Sequence, residues 1–118
     1  MTAPGEVLES EILRLYQEPG IGASYQNTYG EVNIQTLVGK YRSLPPAERE
    51  RMLEMVIGFS TSPDLAASFV SVGVLHALGK TCEVDQAYRW AENQQDGRSI
   101  ASHFDIGVSI AQHFSPPD

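Results

Sequence analysis

The segment that decides the fold reads PDLAASFVSVGVLHALG and runs from Pro63 to Gly79. It holds no charge after Asp64, and its apolar residues occupy nearly every side of a helix instead of a single stripe. Such a helix has to be surrounded by other elements, because apolar surface is unfavourable in water. We therefore predict a buried central helix over residues 63–79, with Ser62 as its N-cap and Gly79 as its C-terminal glycine.

Five further helices are predicted from apolar residues that recur every three or four positions. Their predicted segments are residues 4–17, 32–42, 45–59, 81–96 and 99–114. Because most of the connections are short, consecutive helices must lie antiparallel or sharply crossed. The sequence thus predicts one all-α domain over residues 1–118, with about six helices arranged as three helical hairpins around the central helix. An orthogonal bundle and a short solenoid-like stack both satisfy this pattern.

One connection is much longer than the others and spans residues 18–31. It is rich in glycine and carries Tyr25 and Tyr29. Long loops in compact domains tend to be functional, and tyrosine beside Ser, Asn and Gly makes an adaptable contact surface. The alternative is a lid, in which Ile21 and the two tyrosines fold back over one end of the core. Residues 115–118 are predicted to form a disordered tail.

The net charge of −7 is concentrated at the two ends of the sequence. Residues 1–18 carry −3 and residues 81–118 carry −4, whereas acids and bases balance between them. Such a chain should be repelled by nucleic-acid phosphates and attracted to basic partners. The alternative is that the acidic helix faces only keep a small protein soluble.

The sequence also bears on localisation. Its apolar runs are shorter than the roughly 20 residues that a membrane-spanning helix needs, so no membrane partner is expected. Residues 1–6 show neither the basic region nor the apolar region of a signal peptide. The single cysteine, Cys82, cannot form an internal disulfide. Together these features predict a cytoplasmic protein.

Residues with catalytic chemistry are few. His76 lies within the apolar helix, which favours a hydrogen-bonded core histidine. His103 and His113 are ten residues apart, which is not the spacing of a zinc-binding helix. Cys82, near Lys80 and a helix N-terminus, is either a thiol of lowered pKa or an ordinary capping-region residue. We therefore expect no enzyme, no cofactor and no metal; the alternative is a ligand-binding or enzymatic domain with a pocket near His76, His103 and Trp90.

In size, charge and helical class the chain resembles the small acidic all-helical immunity proteins that bacteria encode beside toxins. It is equally similar to small helical adaptors and secretion chaperones, some of which would act as homodimers. The first resemblance implies a protein-binding module whose acidic surface docks on a basic toxin or effector and inhibits it. The expected partner-binding residues combine acids that steer the partner with tyrosines that anchor it. They are Glu6, Glu9, Glu83, Asp85 and Glu92, with Tyr25, Tyr29 and Tyr88.

Overall fold

The computed structural model describes residues 4–18, 20–22 and 27–113, and within the first helix it describes the side chains from residue 7 onward. The described residues form six α-helices and no strand, which confirms the predicted all-α class. The helices are α1 (Pro4–Gln17), α2 (Glu31–Ser43), α3 (Pro46–Ser60), α4 (Leu65–Ala77), α5 (Thr81–Glu92) and α6 (Gly97–Ala111). None of the described helices is both long and apolar enough to cross a membrane. The predicted tail, Tyr25 and the Glu6 side chain lie outside the described residues.

Helix α4 begins two residues later than predicted, and its cap is Asp64 instead of Ser62. The Asp64 carboxylate accepts hydrogen bonds from the backbone N–H groups of Ala66 and Ala67, which are otherwise without partners at a helix start. Ser62 bonds the capping residue itself instead of the helix, since its hydroxyl oxygen accepts a hydrogen bond from the Asp64 N–H at 3.1 Å.

The other end of α4 is closed as predicted, by Gly79 in the left-handed conformation at φ 75°. The N–H of Gly79 bonds the carbonyl of His76, and the N–H of Lys80 bonds the carbonyl of Leu75. This pair of bonds is a Schellman motif, which satisfies carbonyls that the helix end would leave free.

The centre of the molecule is α4, which contacts α2, α3, α5 and α6. Its Val70, Val72, Val74 and Leu75 side chains are completely buried. The described contacts include each successive pair, α1 with α2, α3 with α4 and α5 with α6, as the three predicted hairpins require. Helix α2 also contacts α6. In a linear stack the second hairpin would separate those two helices, so the arrangement is a bundle around α4 and not a solenoid.

The junction of α5 and α6 differs from the prediction. Helix α5 ends at Glu92, and Gly97 is the first residue of α6 instead of the end of α5. Helix α5 ends with two hydrogen bonds between residues three apart. They run from the Asn93 N–H to the Trp90 carbonyl and from the Gln94 N–H to the Ala91 carbonyl. Gly97 then packs so close to α5 that a Cβ there would lie 2.7 Å from the Ala91 carbonyl oxygen. Glycine is needed at position 97 because the backbone there lies against that of α5, and not because a helix ends at this residue.

Candidate functional site

Tyr88 on α5 is held in place by two contacts with α6. Its hydroxyl donates a hydrogen bond to a carboxylate oxygen of Asp105 at 2.6 Å, and its ring meets the buried Phe104 edge-on with centroids 5.5 Å apart. Burial, and then the hydrogen bond and negative charge of Asp105, raise the pKa of Tyr88 above its ordinary value. The hydroxyl therefore stays protonated at neutral pH and acts as the donor in this bond.

Three of the expected partner-binding residues share one face of α5. Asp85, Tyr88 and Glu92 follow at spacings of three and four residues, which places them on one side of a helix. Asp85 and Glu92 are exposed, as is Asp105 beside them on α6. Among the residues that the structure describes, no basic group lies within 4.0 Å of any of the three carboxylates. We call Asp85, Tyr88, Glu92 and Asp105 the α5–α6 surface.

Glu83 lies apart from this surface, although it is on the same helix. Residues two apart in a helix are about 200° apart around its axis, so Glu83 and Asp85 point to different sides. Glu83 is partly buried in the first turn of α5, where negative charge is favoured by the helix dipole. A role in stabilising the helix start accounts for it.

The acids of α1 are arranged differently from those of α5. Glu9 faces Arg51 of α3, with 3.6 Å between carboxylate oxygen and guanidinium nitrogen, and Glu11 pairs with Lys40 of α2. Helix α1 packs mainly on α2 and α3 and is joined to α4 by the hydrogen bond between Tyr16 and Ser71, whereas α5 packs on α4 and α6. No described contact therefore brings Glu9 together with the expected acids of α5.

The loop before α2 is fastened by a buried asparagine, Asn27. Its side-chain amide donates to Asn33 at 2.8 Å and to the Gly20 carbonyl, while its side-chain oxygen accepts from the Val32 N–H. Asn33, fully buried on α2, in turn donates to the Leu15 carbonyl near the end of α1 at 2.9 Å. These bonds tie the loop to both helices that it joins.

The side chains of this loop take different positions. Ile21 packs against the core, as the lid interpretation expects, whereas Tyr29 is 44% exposed and available for contact. Tyr25 lies outside the described residues. The loop thus supplies one described tyrosine, Tyr29, to the surface near the start of α2.

Two residues of these networks, Asn33 and Asp105, were missed by sequence reasoning, and only Asn33 left a signal. Asn33 lies four residues before Leu37, on the buried face of α2, where a polar side chain needs a partner. Asp105 left no such signal, because it lies eight residues after the start of α6 whereas Tyr88 lies four residues before the end of α5.

A cleft of about 290 Å³ lies where the start of α4, the end of α5 and the start of α6 meet. Its apolar wall includes Leu65, Ile100 and Trp90, and its polar side includes Gln94, Asp96 and Ser99. Neither His76 nor His103 is among the residues that line it. Of the three residues in the expected pocket, Trp90 alone lines this cleft, which we call the Trp90 cleft.

The remaining candidate groups have ordinary structural surroundings. His103 contacts the Ser99 carbonyl through Nδ1 at 2.7 Å and packs its ring near Phe69. His76 is partly exposed and makes no described hydrogen bond, so the expectation of a hydrogen-bonded core histidine is wrong. Cys82 is exposed. Within the described ranges no three His, Cys, Asp or Glu residues are grouped so that they could hold a metal ion.

Comparison with known proteins finds no match. No family model, curated protein or solved structure matches the chain. The resemblance to immunity proteins, adaptors and secretion chaperones thus remains one of size, charge and helical class.

Proposed function

We propose that the protein binds a basic protein partner through the α5–α6 surface, and that it acts as an inhibitor of a basic toxin or effector. The observation that carries the proposal is the unpaired charge of Asp85, Glu92 and Asp105, which have no described basic neighbour within 4.0 Å. Arg89 lies on the same side of α5 and offsets only part of this charge. Unpaired surface charges of one sign attract a partner of the opposite sign and speed its association.

The position of Glu92 supports a role in binding instead of stability. Glu92 is the last residue of α5, where the helix dipole disfavours a negative charge. A negative side chain at this end reduces the stability of the helix. By contrast, Glu9 and Glu11 on α1 have basic partners within the molecule. An acid that destabilises its own helix and has no internal partner is suited to an external one.

Tyr88 is suited to anchoring the partner once charge has brought it close. Its ring is fixed against Phe104 and its hydroxyl is held by Asp105. A tyrosine that is already ordered loses little conformational entropy when a partner covers it. Ordered aromatic residues at the centre of a contact surface commonly contribute much of the binding energy.

The proposal is tested by capturing a partner with the immobilised full chain and then measuring its affinity with purified components. Capture from a cell lysate is followed by mass spectrometry, and titration calorimetry is repeated at about 50 mM and about 500 mM NaCl. We expect a basic partner whose affinity falls with salt. Asp85→Asn combined with Glu92→Gln should weaken binding about tenfold at low salt, which corresponds to about 1.4 kcal/mol.

The matched control removes two charges elsewhere. Glu9→Gln combined with Glu11→Gln leaves the same net charge but alters α1, and it should change the affinity less than about twofold. A partner that binds equally at both salt concentrations, equal effects of the two double variants, or the absence of any partner would each contradict the proposal.

A further inference from the structure

The size of the Trp90 cleft limits what it can hold. Sites for cofactors and drug-sized ligands occupy roughly 300–1,000 Å³, and this cleft, with about 290 Å³, lies at the lower end of that range. It has room for a single large side chain. Trp90 supplies an aromatic wall, and among the described residues that line the cleft Asp96 alone is charged.

Asp96 differs in an informative way from Asp64, the other aspartate at a helix start. The Asp64 carboxylate caps α4 by accepting from two backbone N–H groups. Asp96 occupies the same position before α6, yet its side chain makes no capping hydrogen bond. Within the described part of the chain, neither Arg89 nor Arg98 lies within 4.0 Å of its carboxylate. Asp96 therefore places a carboxylate at the cleft that has no described capping hydrogen bond or ion pair inside the molecule.

The start of α6 also contributes to the electrostatics of the cleft. A helix N-terminus carries a partial charge of roughly +0.5, which is smaller than the full negative charge of a carboxylate. Summed over this helix end and the residues that line the cleft, which do not include Arg98, the charge is negative and favours a cation. A cation beside an indole ring is further attracted by the electrons of the ring face.

We propose that the cleft receives an arginine side chain of the basic partner, with the guanidinium group against Asp96 and its flat face on Trp90. Arginine suits the cleft better than lysine because its planar group stacks on aromatic rings and can donate two parallel hydrogen bonds to one carboxylate. The amide oxygen of Gln94 offers a further acceptor. This inference rests on the proposed function, since it concerns how the same partner is recognised.

The single tryptophan of the chain makes a direct test possible. Trp90 fluorescence of the full chain is followed during titration with Nα-acetylarginine amide, and with the neutral isostere Nα-acetylcitrulline amide as a control. We expect a saturable change with the arginine compound, with a dissociation constant on the order of millimolar, as befits one isolated side chain. The citrulline compound should give no saturable change.

Two variants separate a specific site from general charge. Asp96→Asn should weaken binding of the arginine compound about tenfold, whereas Asp85→Asn, an exposed acid outside the cleft, should leave it within about twofold. Equal binding of arginine and citrulline compounds, equal effects of the two variants, or a fluorescence change that never saturates would overturn the proposal.

The same measurements distinguish this inference from the proposed function. If the arginine compound fails to bind while a captured partner still depends on Asp85 and Glu92, only the cleft proposal is wrong. If the arginine compound binds as expected but no basic partner is captured, the cleft is a guanidinium site, but the proposed function and the assignment of that guanidinium to a basic partner are both contradicted.

Discussion

Asn33 is a polar residue on the apolar face of α2, and its bonds connect three segments of the chain. Its amide reaches the Leu15 carbonyl, and its oxygen accepts from Asn27, which holds the loop. Replacing Asn33 by leucine keeps a similar volume but leaves the Leu15 carbonyl without this donor. Because a buried group that loses its partner costs about 1–3 kcal/mol, we expect Asn33→Leu to lower the free energy of unfolding by about 2 kcal/mol in urea titrations.

A suitable control for this change is Asn93, an exposed asparagine whose amide donates to the Arg89 carbonyl within one helix turn. Water replaces such a bond readily, so Asn93→Leu should change the free energy of unfolding by less than about 0.5 kcal/mol. Similar losses in the two variants would mean that the buried network contributes nothing beyond an ordinary surface bond.

At the scale of elements, α4 and α6 approach each other very closely at Gly107. A Cβ added at Gly107 would lie 2.5 Å from the Phe69 carbonyl oxygen, a backbone atom that cannot rotate away. Gly107→Ala must therefore separate the two helices, and we expect a loss of about 3 kcal/mol in the free energy of unfolding. Gly58→Ala on α3 has nothing within 4 Å and should instead stabilise by about 0.5–1 kcal/mol. Thermal and urea unfolding should show these opposite signs; a Gly107→Ala protein as stable as the parent would refute the close packing.

Helix positions were predictable from the sequence because their signals are local. Apolar spacing and end residues placed all six helices, and the lack of charge in α4 correctly placed it at the centre. The errors in helix boundaries lie where two local signals compete: Ser62 and Asp64 are both good caps, and Gly97 resembles a helix end although it begins α6.

Contacts between elements were harder to predict than the elements themselves. The approach of Gly107 to Phe69 and the bond between Tyr88 and Asp105 join residues on different helices. Apolar spacing indicates which face of each helix is buried, but it does not fix how far neighbouring helices are shifted along their axes, and such contacts depend on that shift. For the same reason the two acidic helices were expected to act together, whereas α1 packs mainly on α2 and α3 and α5 packs on α4 and α6.

At the scale of the whole molecule, the acidic residues serve two different purposes. Those of α1 pair with Lys40 and Arg51 and join α1 to the next two helices. Those of the α5–α6 surface pair with nothing basic among the described residues and repel one another. The net charge of −7 therefore includes two groups of acids, those that stabilise the fold and those that reduce its stability.

This division predicts opposite effects on stability for two variants of equal net charge. Asp85→Asn with Glu92→Gln removes repulsion and an unfavourable charge at the end of α5, and should raise the free energy of unfolding by about 0.5 kcal/mol at low salt. Glu9→Gln with Glu11→Gln removes two ion pairs and should lower it by up to about 1 kcal/mol. Urea titrations at low and high NaCl measure both, and the difference should shrink at high salt because exposed charges are screened. If the two variants shift the free energy of unfolding in the same direction, the acids of the α5–α6 surface do not destabilise the fold. This argument for an external basic partner is then removed.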